Sequence, residues 1–482
     1  MRLLDPNASS AGLLLSAART SVRYLRTVRD RPVTPSDRAL SRLSDLGGAL
    51  PQGPTKAHDV IRLLDELGSP ATMATTGGRY FGLVVGGALP VTVAANWLAT
   101  AWDQNAAMRM ASPVAAVLED ITLPWLAALF GLPPTVGGAF VTGASMANLS
   151  ALAAARQAVL ARVGWDVSAK GLPGAPAIRV VVGDEVHVTV LKALALLGLG
   201  RDNIIRVPVD GQGRMRADAL PDLDDLTIVC IQAGNVNTGA FDPAPAICSR
   251  ARDAGAWVHV DGAFGMWAAC SPTRAHLTEG FELADSWATD AHKWLNTPYD
   301  CGIVLVREPA NLKAAMASSA AYLATTDERE PSHFNPELSR RARVVDVWAA
   351  IKFLGREGIE GMIERTCEHA SLLAGRLQRS GFEILNEVAI NQVLLSLGDD
   401  AATDRLIEAV QRDGTCWCGG TTWQGRRAMR VSVSSWATTD EDIERAVRAI
   451  AEIGSAISTK VGGAAPSPSR GPGHEARRAP RD

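Results

Sequence analysis

From about residue 136 onward, short apolar runs alternate with longer stretches of helical character. The runs predict seven strands: Ala139–Val141, Ile178–Val182, Ile204–Val207, Thr227–Ile231, Trp257–Val260, Ser286–Thr289 and Ile303–Val306. The stretches predict helices at Ser145–Val163, Val188–Leu197, Ala244–Asp253 and Asn311–Ala317. Strands that alternate with helices are typical of an α/β fold with a mostly parallel sheet. Because ligands of such sheets bind beyond the carboxyl ends of the strands, we expect a functional site there.

The chain on either side of this region predicts smaller parts. The N-terminal residues form amphipathic helical pieces, such as Asp37–Leu46 and Lys56–Leu67, between prolines and glycines. A long helix is expected over Arg340–Gly381, followed by an α+β part with strands at Gln392–Leu397 and Met429–Ser434. We therefore predict four parts: an N-terminal helical segment (1–75), a large domain (76–340), a small α+β domain (341–457) and a disordered tail (458–482) rich in Gly, Pro, Ala, Ser and Arg.

The composition favours a soluble protein that acts on a small molecule. Of the 482 residues, 47% are hydrophobic and 21% are charged, and the formal net charge is −3. This balance gives no electrostatic footprint for nucleic acid or for an anionic membrane. Two uncharged stretches, 81–102 and 123–155, contain prolines and glycines that a spanning helix would avoid, so we interpret them as buried core and loop.

The seven cysteines are odd in number and scattered along the chain, which does not suggest a disulfide framework. Cys416 and Cys418 form a C-x-C pair, but no second Cys or His pair stands at metal-ligand spacing. We expect reduced cysteines in a cytoplasmic protein, and no metal site. The apolar patch Ala11–Ala18 is short and lies between charged residues, so it does not predict a signal peptide.

Lys293 is the first candidate for chemistry. Taken alone, a lysine after a strand is typical of a solvated surface position. Here it follows the apolar strand Ser286–Thr289 and precedes Trp294-Leu295, where an unpaired ammonium is costly. A desolvated lysine becomes a nucleophile toward carbonyl groups, as Schiff-base chemistry requires.

Three further motifs lie at predicted strand ends. Asp261 ends the strand Trp257–Val260, where it could form a salt bridge, cap a turn or meet a cationic cofactor. The turn Thr142–Asn148 leads into an alanine-rich helix whose free N–H groups could bind a phosphate, although ordinary strand-to-helix turns look the same. His187 follows another strand and could be a structural histidine or could stack on a flat ring.

The turn, His187, Asp261 and Lys293 follow one another in the chain order of fold-type I enzymes that use pyridoxal 5'-phosphate (PLP). In these residues the sequence resembles the group II PLP decarboxylases, the family of aromatic-amino-acid, histidine and glutamate decarboxylases. Residues 290–294 (DAHKW) are similar to its D-x-H-K-W segment, and residues 259–265 (HVDGAFG) to its H-V-D-A-A-Y-G segment. Residues 234–242 resemble its G-T-T-x-x-G-A-x-D segment, and the resemblance spans roughly residues 60–450.

The resemblance implies roles for individual residues. Lys293 would form the Schiff base, and Asp261 would pair with the pyridine nitrogen. His187 and Ala263 would lie on the two faces of the ring, while Ala144 and Ser145 would bind the phosphate. The full predicted cofactor set is Gly143, Ala144, Ser145, His187, Asn235, Asp261, Ala263, Asp290, His292 and Lys293. The resemblance also implies a homodimer with the active site at the subunit interface.

The predicted substrate-binding residues are Tyr80, Phe81, Val84 and Arg430. Arg430 matches an arginine that meets a substrate carboxylate in relatives, but a buried structural ion pair fits it equally well. The pocket is expected to draw on 80–85, on 102–105 and on the loop 324–340, partly from the other subunit. The apolar Val84 and Val85 favour an apolar or aromatic substrate side chain.

The chain departs from the family at one point. Many members carry a loop tyrosine that protonates the intermediate after CO2 leaves, but the loop at about Ala324–Arg340 contains no tyrosine. His333 lies closest to the expected place, and a histidine could donate this proton. A plain solvated loop fits His333 as well.

We therefore predict a PLP-dependent decarboxylase that converts an L-amino acid to its amine, with Lys293, His187, Asp261 and His333 as the catalytic residues. A second hypothesis keeps PLP but changes the reaction, to transamination, oxidative deamination with aldehyde formation, or side-chain replacement. A third is a catalytically silent PLP-fold protein that serves as a binding partner. The sequence does not identify the substrate.

Overall fold

A computed structural model of the chain describes residues 10–317 and 328–462. The N-terminal segment is helical. The hydroxyl of Ser36 caps its second helix by accepting a hydrogen bond from Ala39 N–H (3.2 Å), and a π turn, Leu64–Gly68, continues the third. The helices are α1 (Ala11–Thr27), α2 (Asp37–Ser41), α3 (Ala57–Leu63) and α4 (Ser69–Ala71).

Two helices occupy much of the region that the sequence suggested was buried core and loop. These are α5 (Pro90–Trp102) and α6 (Pro113–Leu129), and each begins with a proline, which suits the first position of a helix. Because both stretches are mostly apolar, they show no clear alternation of polar and apolar residues from which a helix could be predicted. Across residues 10–317 and 328–462, no helix is both long enough and apolar enough to cross a membrane.

The predicted seven-stranded, mostly parallel sheet is confirmed. Its order is β1-β7-β6-β5-β4-β2-β3, and β7 is the one strand antiparallel to its neighbours. The strands are β1 (Gly137–Val141), β2 (Arg179–Gly183), β3 (Ile204–Val207), β4 (Thr227–Gln232), β5 (Trp257–Asp261), β6 (Ser286–Asp290) and β7 (Gly302–Val306).

Helices cover both faces of this sheet. Alternate residues of one strand enter different hydrophobic cores: Val181 packs on one face, whereas Val180 and Val182 pack on the other. Burial on both faces explains the continuous apolar runs in the sequence. The helices between the strands are α7 (Ala144–Arg162), α8 (Val167–Lys170), α9 (Val188–Leu196), α10 (Ala244–Asp253) and α11 (Pro309–Met316).

The C-terminal part contains a four-stranded antiparallel sheet of order β10-β11-β9-β8. The sequence missed β8 and β10, which are short or contain glycine and threonine. The last helix extends into the segment predicted as a disordered tail, and the rest of that tail lies outside the described residues. The elements are α12 (Val344–Arg379, interrupted at Gly355), β8 (Glu383–Ile384), β9 (Gln392–Ser396), α13 (Asp400–Asp413), β10 (Gly419–Trp423), β11 (Arg426–Ser432) and α14 (Asp440–Gly462).

A short extended segment joins the two sheets. Phe81 N–H donates to the Trp417 carbonyl (2.8 Å), and the Phe81 carbonyl accepts from Ser432 N–H (2.9 Å). The backbone just before Val84 is therefore fixed to the C-terminal sheet. The boundaries of the four parts (1–75, 76–340, 341–457 and 458–482) stay a prediction.

Candidate active site

A small cavity of about 30 Å³ lies at the carboxyl edge of the large sheet. It is lined by Val84, His187, Gln232, Gly234, Val236, Asp261, Ala263, Phe264 and Lys293. Five of these residues were predicted from the sequence: Val84, His187, Asp261, Ala263 and Lys293. A wider groove beside the N-terminal helices lies among surface residues and holds none of these groups.

Lys293 lies three residues beyond the end of β6. Its Nζ is 2.9 Å from Oδ2 of Asp290, and its side chain is 21% exposed. Its carbonyl touches the segment that carries Val84, because a Cβ on Gly86 would lie 1.8 Å from the Lys293 oxygen. This close approach requires glycine at position 86 and brings Val84 and Lys293 to the same cavity.

Asp290, the last residue of β6, links the lysine to the predicted phosphate turn. Its Oδ1 accepts a hydrogen bond from Ala144 N–H at 2.6 Å, so a carboxylate caps the start of α7. The turn comes this close because residue 302 has no side chain: a Cβ there would lie 2.4 Å from Gly143 Cα. The Ala144 N–H predicted for phosphate is therefore engaged by Asp290 in this structure.

Asp261 is a buried carboxylate, 5% exposed, at the end of β5. One of its oxygens accepts a hydrogen bond from Ala263 N–H at 3.3 Å. Within residues 10–317 and 328–462 it forms no ion pair. A buried carboxylate without a cation fits a cofactor that brings its own positive charge, such as a protonated pyridine nitrogen.

His187 precedes α9, and its Nδ1 caps that helix by accepting a hydrogen bond from Thr189 N–H (3.3 Å). Burial lowers the pKa of His187 below its usual value; Asp261 opposes this effect and Lys293 adds to it. A neutral imidazole can lie against the face of a flat ring without adding charge to the cavity.

Two other predicted cofactor residues make internal contacts. The Asn235 side chain accepts hydrogen bonds from Asn237 N–H (2.9 Å) and Thr238 N–H (3.2 Å), so it shapes its own turn. The His292 ring packs against Tyr299 with centroids 4.3 Å apart and the ring planes tilted by 33°, and burial lowers the pKa of His292. Neither residue lines the cavity.

The predicted substrate residues separate into different environments. Val84 lines the cavity, whereas Phe81 packs in the core of the C-terminal part and Tyr80 stacks on Trp417 (centroids 5.2 Å). Arg430 is largely enclosed; its Nη1 donates to the carbonyl of Val236 (3.2 Å), and burial lowers its pKa. Val236 thus connects Arg430 to the cavity wall.

His333 lies in a 3₁₀ turn, Pro331–His333, and does not line the cavity of its own chain. The neighbouring side chains fix this turn near β1: Asn335 Nδ2 donates to the Phe140 carbonyl (2.7 Å), and Arg329 pairs with the buried Glu119 (2.9 Å). Residues 324–327 of the predicted loop lie outside the described residues. A catalytic role for His333 stays a prediction.

Sequence reasoning missed four residues of the cavity wall: Gln232, Gly234, Val236 and Phe264. Gln232 ends β4, and Gly234 and Val236 follow it directly. Their position after a central strand was the available signal, because each parallel strand directs the residues that follow it to the same edge. Their ordinary chemistry gave no further indication.

Comparison with known proteins places this geometry in a family. The pyridoxal-dependent decarboxylase conserved domain matches residues 72–397. The chain is similar to an aromatic-L-amino-acid decarboxylase from Bacillus atrophaeus (27% identical over 370 residues, 74% of each chain) and to a 4-hydroxyphenylacetaldehyde synthase from Rhodiola rosea (28% over 377 residues, 72% of this chain and 74% of that one). The crystal structure of Oryza sativa TDC with PLP and tryptamine has the same fold, with a TM-score of 0.86 at 23% identity, covering 94% of this chain and 99% of that one.

The fold is the α/β architecture of fold type I, as predicted, and the matched family is one that uses PLP. The chain belongs to the family of pyridoxal-dependent decarboxylases. It is a PLP-dependent enzyme that decarboxylates an amino acid.

Proposed function

We propose that this enzyme removes the α-carboxylate of an L-amino acid and releases the corresponding amine. The convergence of Lys293, Asp261 and His187 on one cavity supports the proposal most directly. Lys293 holds the cofactor covalently, and Asp261 provides the counter-charge to its ring nitrogen. When bound, the cofactor draws electrons from the substrate Cα.

His187 and Ala263 enclose the ring, and the turn Gly143–Ser145 binds the phosphate together with His292. Asp290 already occupies the Ala144 N–H, so Ser145 is the first residue of the turn whose donors face the phosphate without this competition. Asn235 acts through the shape of its turn, beside Gly234 and Val236.

The substrate lies toward Val84, Val236 and Phe264. These apolar groups favour an apolar or aromatic side chain and exclude water from the breaking bond. Arg430 binds the substrate carboxylate, since it is a largely enclosed cation with no salt bridge to any described residue. Its charge-assisted hydrogen bonds would be strong in this setting.

A homodimer would complete the site. Helices α5 and α6 expose apolar side chains at helical spacing: Trp97, Leu98 and Trp102 on the first, and Val114, Val117 and Ile121 on the second. Exposed apolar stripes of this kind mark protein interfaces. A partner subunit covering them would bring its own 328–340 segment, with His333, toward the cavity. Sedimentation of a fully active monomer would refute this assembly.

Incubation of the protein with PLP and single amino acids, with trapping of CO2 and amine, tests the reaction. The common amino acids and their hydroxylated aromatic forms should include at least one that gives equal amounts of both. Absence of CO2 from all of them would rule out the proposal.

A second candidate is oxidative decarboxylation to an aldehyde. Its balance is amino acid, O2 and water in, and CO2, aldehyde, ammonia and hydrogen peroxide out. It is favoured by the lack of tyrosine in the loop at about Ala324–Arg340 and by the similarity to an aldehyde synthase. Oxygen uptake and ammonia in proportion to CO2, with little amine, would distinguish it from simple decarboxylation.

A further inference from the structure

A row of six side chains runs from the His187 ring into the protein interior; we call it the buried chain. Its members, in order, are His187, Thr189, Asn148, His259, Ser286 and Trp257. The contacts are His187 Nδ1–Thr189 Oγ1 2.7 Å, Thr189 Oγ1–Asn148 Nδ2 3.3 Å, Asn148 Oδ1–His259 Nε2 2.9 Å, His259 Nδ1–Ser286 Oγ 3.0 Å and Ser286 Oγ–Trp257 Nε1 3.0 Å.

The Asn148 amide sets the direction of the inner hydrogen bonds. Its Nδ2 donates to Thr189, so its Oδ1 faces Nε2 of His259 and can only accept. The His259 proton therefore lies on Nε2, and the bare Nδ1 accepts from the Ser286 hydroxyl. An indole nitrogen can only donate, so Trp257 donates to the second lone pair of that hydroxyl.

The outer end gives the same direction independently. The backbone N–H of Thr189 points at Nδ1 of His187 (3.3 Å), so this nitrogen accepts and carries no proton. The Thr189 hydroxyl, 2.7 Å from the same nitrogen, must therefore donate to it. Two donors on Nδ1 leave the proton of neutral His187 on Nε2, at the opposite edge of the ring.

We propose that the buried chain is a positioning device that keeps the proton of His187 on Nε2, and that Thr189 and Asn148 are positioning residues for the reaction. In this state the ring presents an N–H donor to the cavity rather than a lone pair. This N–H can donate a hydrogen bond to the substrate carboxylate and so orient the bond that breaks in the proposed decarboxylation. The inference rests on that proposed function.

Burial supports a fixed, uncharged chain. Asn148, His259 and Ser286 are fully buried, so an unmade hydrogen bond there would be costly. Burial lowers the pKa of His259 to about 3, and it also lowers the pKa of His187. Both rings therefore stay neutral near pH 7, and a neutral ring has to choose one of two tautomers.

Thr189→Val tests the outer link, with Thr189→Ser as the matched control that keeps the hydroxyl. The measurement is the ¹⁵N signal of the ring nitrogens in histidine-labelled holoenzyme, with the His187 signals assigned from their loss in His187→Gln. In the wild type, Nδ1 should be bare and Nε2 protonated. In Thr189→Val, a fraction of the His187 rings should carry the proton on Nδ1, and kcat should fall about tenfold with KM little changed. Thr189→Ser should keep both the wild-type tautomer and the wild-type kcat.

Asn148→Asp tests the same idea by reversing one link with almost no change of shape. A carboxylate accepts on both oxygens, so the Thr189 hydroxyl turns toward residue 148 and the proton between Thr189 and His187 must sit on Nδ1. Should this variant fail to fold, Thr189→Val still decides the question.

A wild-type ring protonated on Nδ1 would overturn the inference, and so would tautomer and kcat values in Thr189→Val equal to those of the wild type. These signals are read without turnover. If no amino acid yields CO2, the proposed function fails while the tautomer assignment still stands or falls separately.

Discussion

Two regions of the molecule are built differently: the strand-end side of the cavity, at β5 and β6, and the 332–346 segment, which leads into α12. On the side of β5 and β6, the polar groups make contacts inside one chain: Lys293 pairs with Asp290, and Asp290 in turn caps α7. In the 332–346 segment, several buried polar atoms have no hydrogen-bond partner among the described residues, including Ser332 Oγ, Arg340 Nη1 and Asp346 Oδ1.

The difference separates polar groups whose hydrogen bonds are formed within the chain from polar groups whose hydrogen bonds are not. A buried polar atom without a partner is costly, so groups of this kind are expected where a ligand or another chain supplies the missing contact. We infer that the strand-end side holds the cofactor in a fixed geometry, and that another chain completes the contacts of the 332–346 segment.

The largest expected effect tests the strand-end side. Lys293→Ala removes the amine that we propose holds the cofactor, so amine formation should fall at least ~10³-fold, or about 4 kcal/mol in transition-state free energy. The visible absorbance of the bound cofactor should change as well. Lys192→Ala, an exposed lysine on α9, is the matched control and should behave as the wild type. Equal loss in both variants would contradict a special role for Lys293.

A smaller loss is expected from Asp261→Asn. The amide keeps the shape but cannot balance the charge of a protonated ring nitrogen, and hydrogen bonds to charged groups contribute about 1.5–3 kcal/mol. We expect kcat to fall roughly 10- to 100-fold, with the protein still folded by circular dichroism. Asp285→Asn, at the amino end of β6, is the control. An unchanged kcat in Asp261→Asn would show that the counter-charge does not matter.

The strand-end side could be predicted from the sequence because its information is local. The apolar run Trp257–Val260 ends, and the next residue is Asp261; the run Ser286–Thr289 ends, and Lys293 follows four residues later. Chain order then brings these ends together without knowledge of packing. The same reasoning predicted His187, which follows β2.

The buried chain could not be predicted, because its members come from α7, α9, β5 and β6 and meet only after the sheet is covered. Phe81 is a case in which such long-range contacts place a side chain elsewhere than the sequence suggested. Its place next to Tyr80 suggested the substrate pocket, but hydrogen bonds to Trp417 and Ser432 turn the segment so that Phe81 packs in the C-terminal core. Such contacts between distant segments leave no periodic signal.

Substitution of Asp346 tests whether a buried and only partly neutralised carboxylate at the start of α12 lowers the stability of the protein. Burial raises the pKa of Asp346 to about 6, although Asn96 donates to it at 2.8 Å. A raised pKa in the folded state contributes stability below the unfolded value, near 4, and this contribution is lost as the pH rises through 6.

Asp346→Asn should therefore gain on the order of 2 kcal/mol in unfolding free energy relative to the wild type between pH 4.5 and pH 8. Urea titrations at the two pH values measure this difference. Asp59→Asn, on the exposed surface of α3, should show little dependence. A difference of opposite sign would mean that Arg341, which contacts the same carboxylate, binds it more strongly than burial opposes it.

Arg430, on β11, should give the smallest effect, and its substitution tests whether the C-terminal sheet contributes to substrate binding. If its guanidinium binds the substrate carboxylate, Arg430→Gln should raise KM about tenfold, or about 1.4 kcal/mol, with kcat little changed, because uniform binding is lost. Arg426→Gln is the control on the same strand, since that arginine pairs with Glu383 at the surface. An unchanged KM with a lower unfolding midpoint would instead assign Arg430 to holding the Val236 carbonyl, a purely structural contact. The cavity would then select its substrate through Val84, Val236 and Phe264, and through groups of the second subunit.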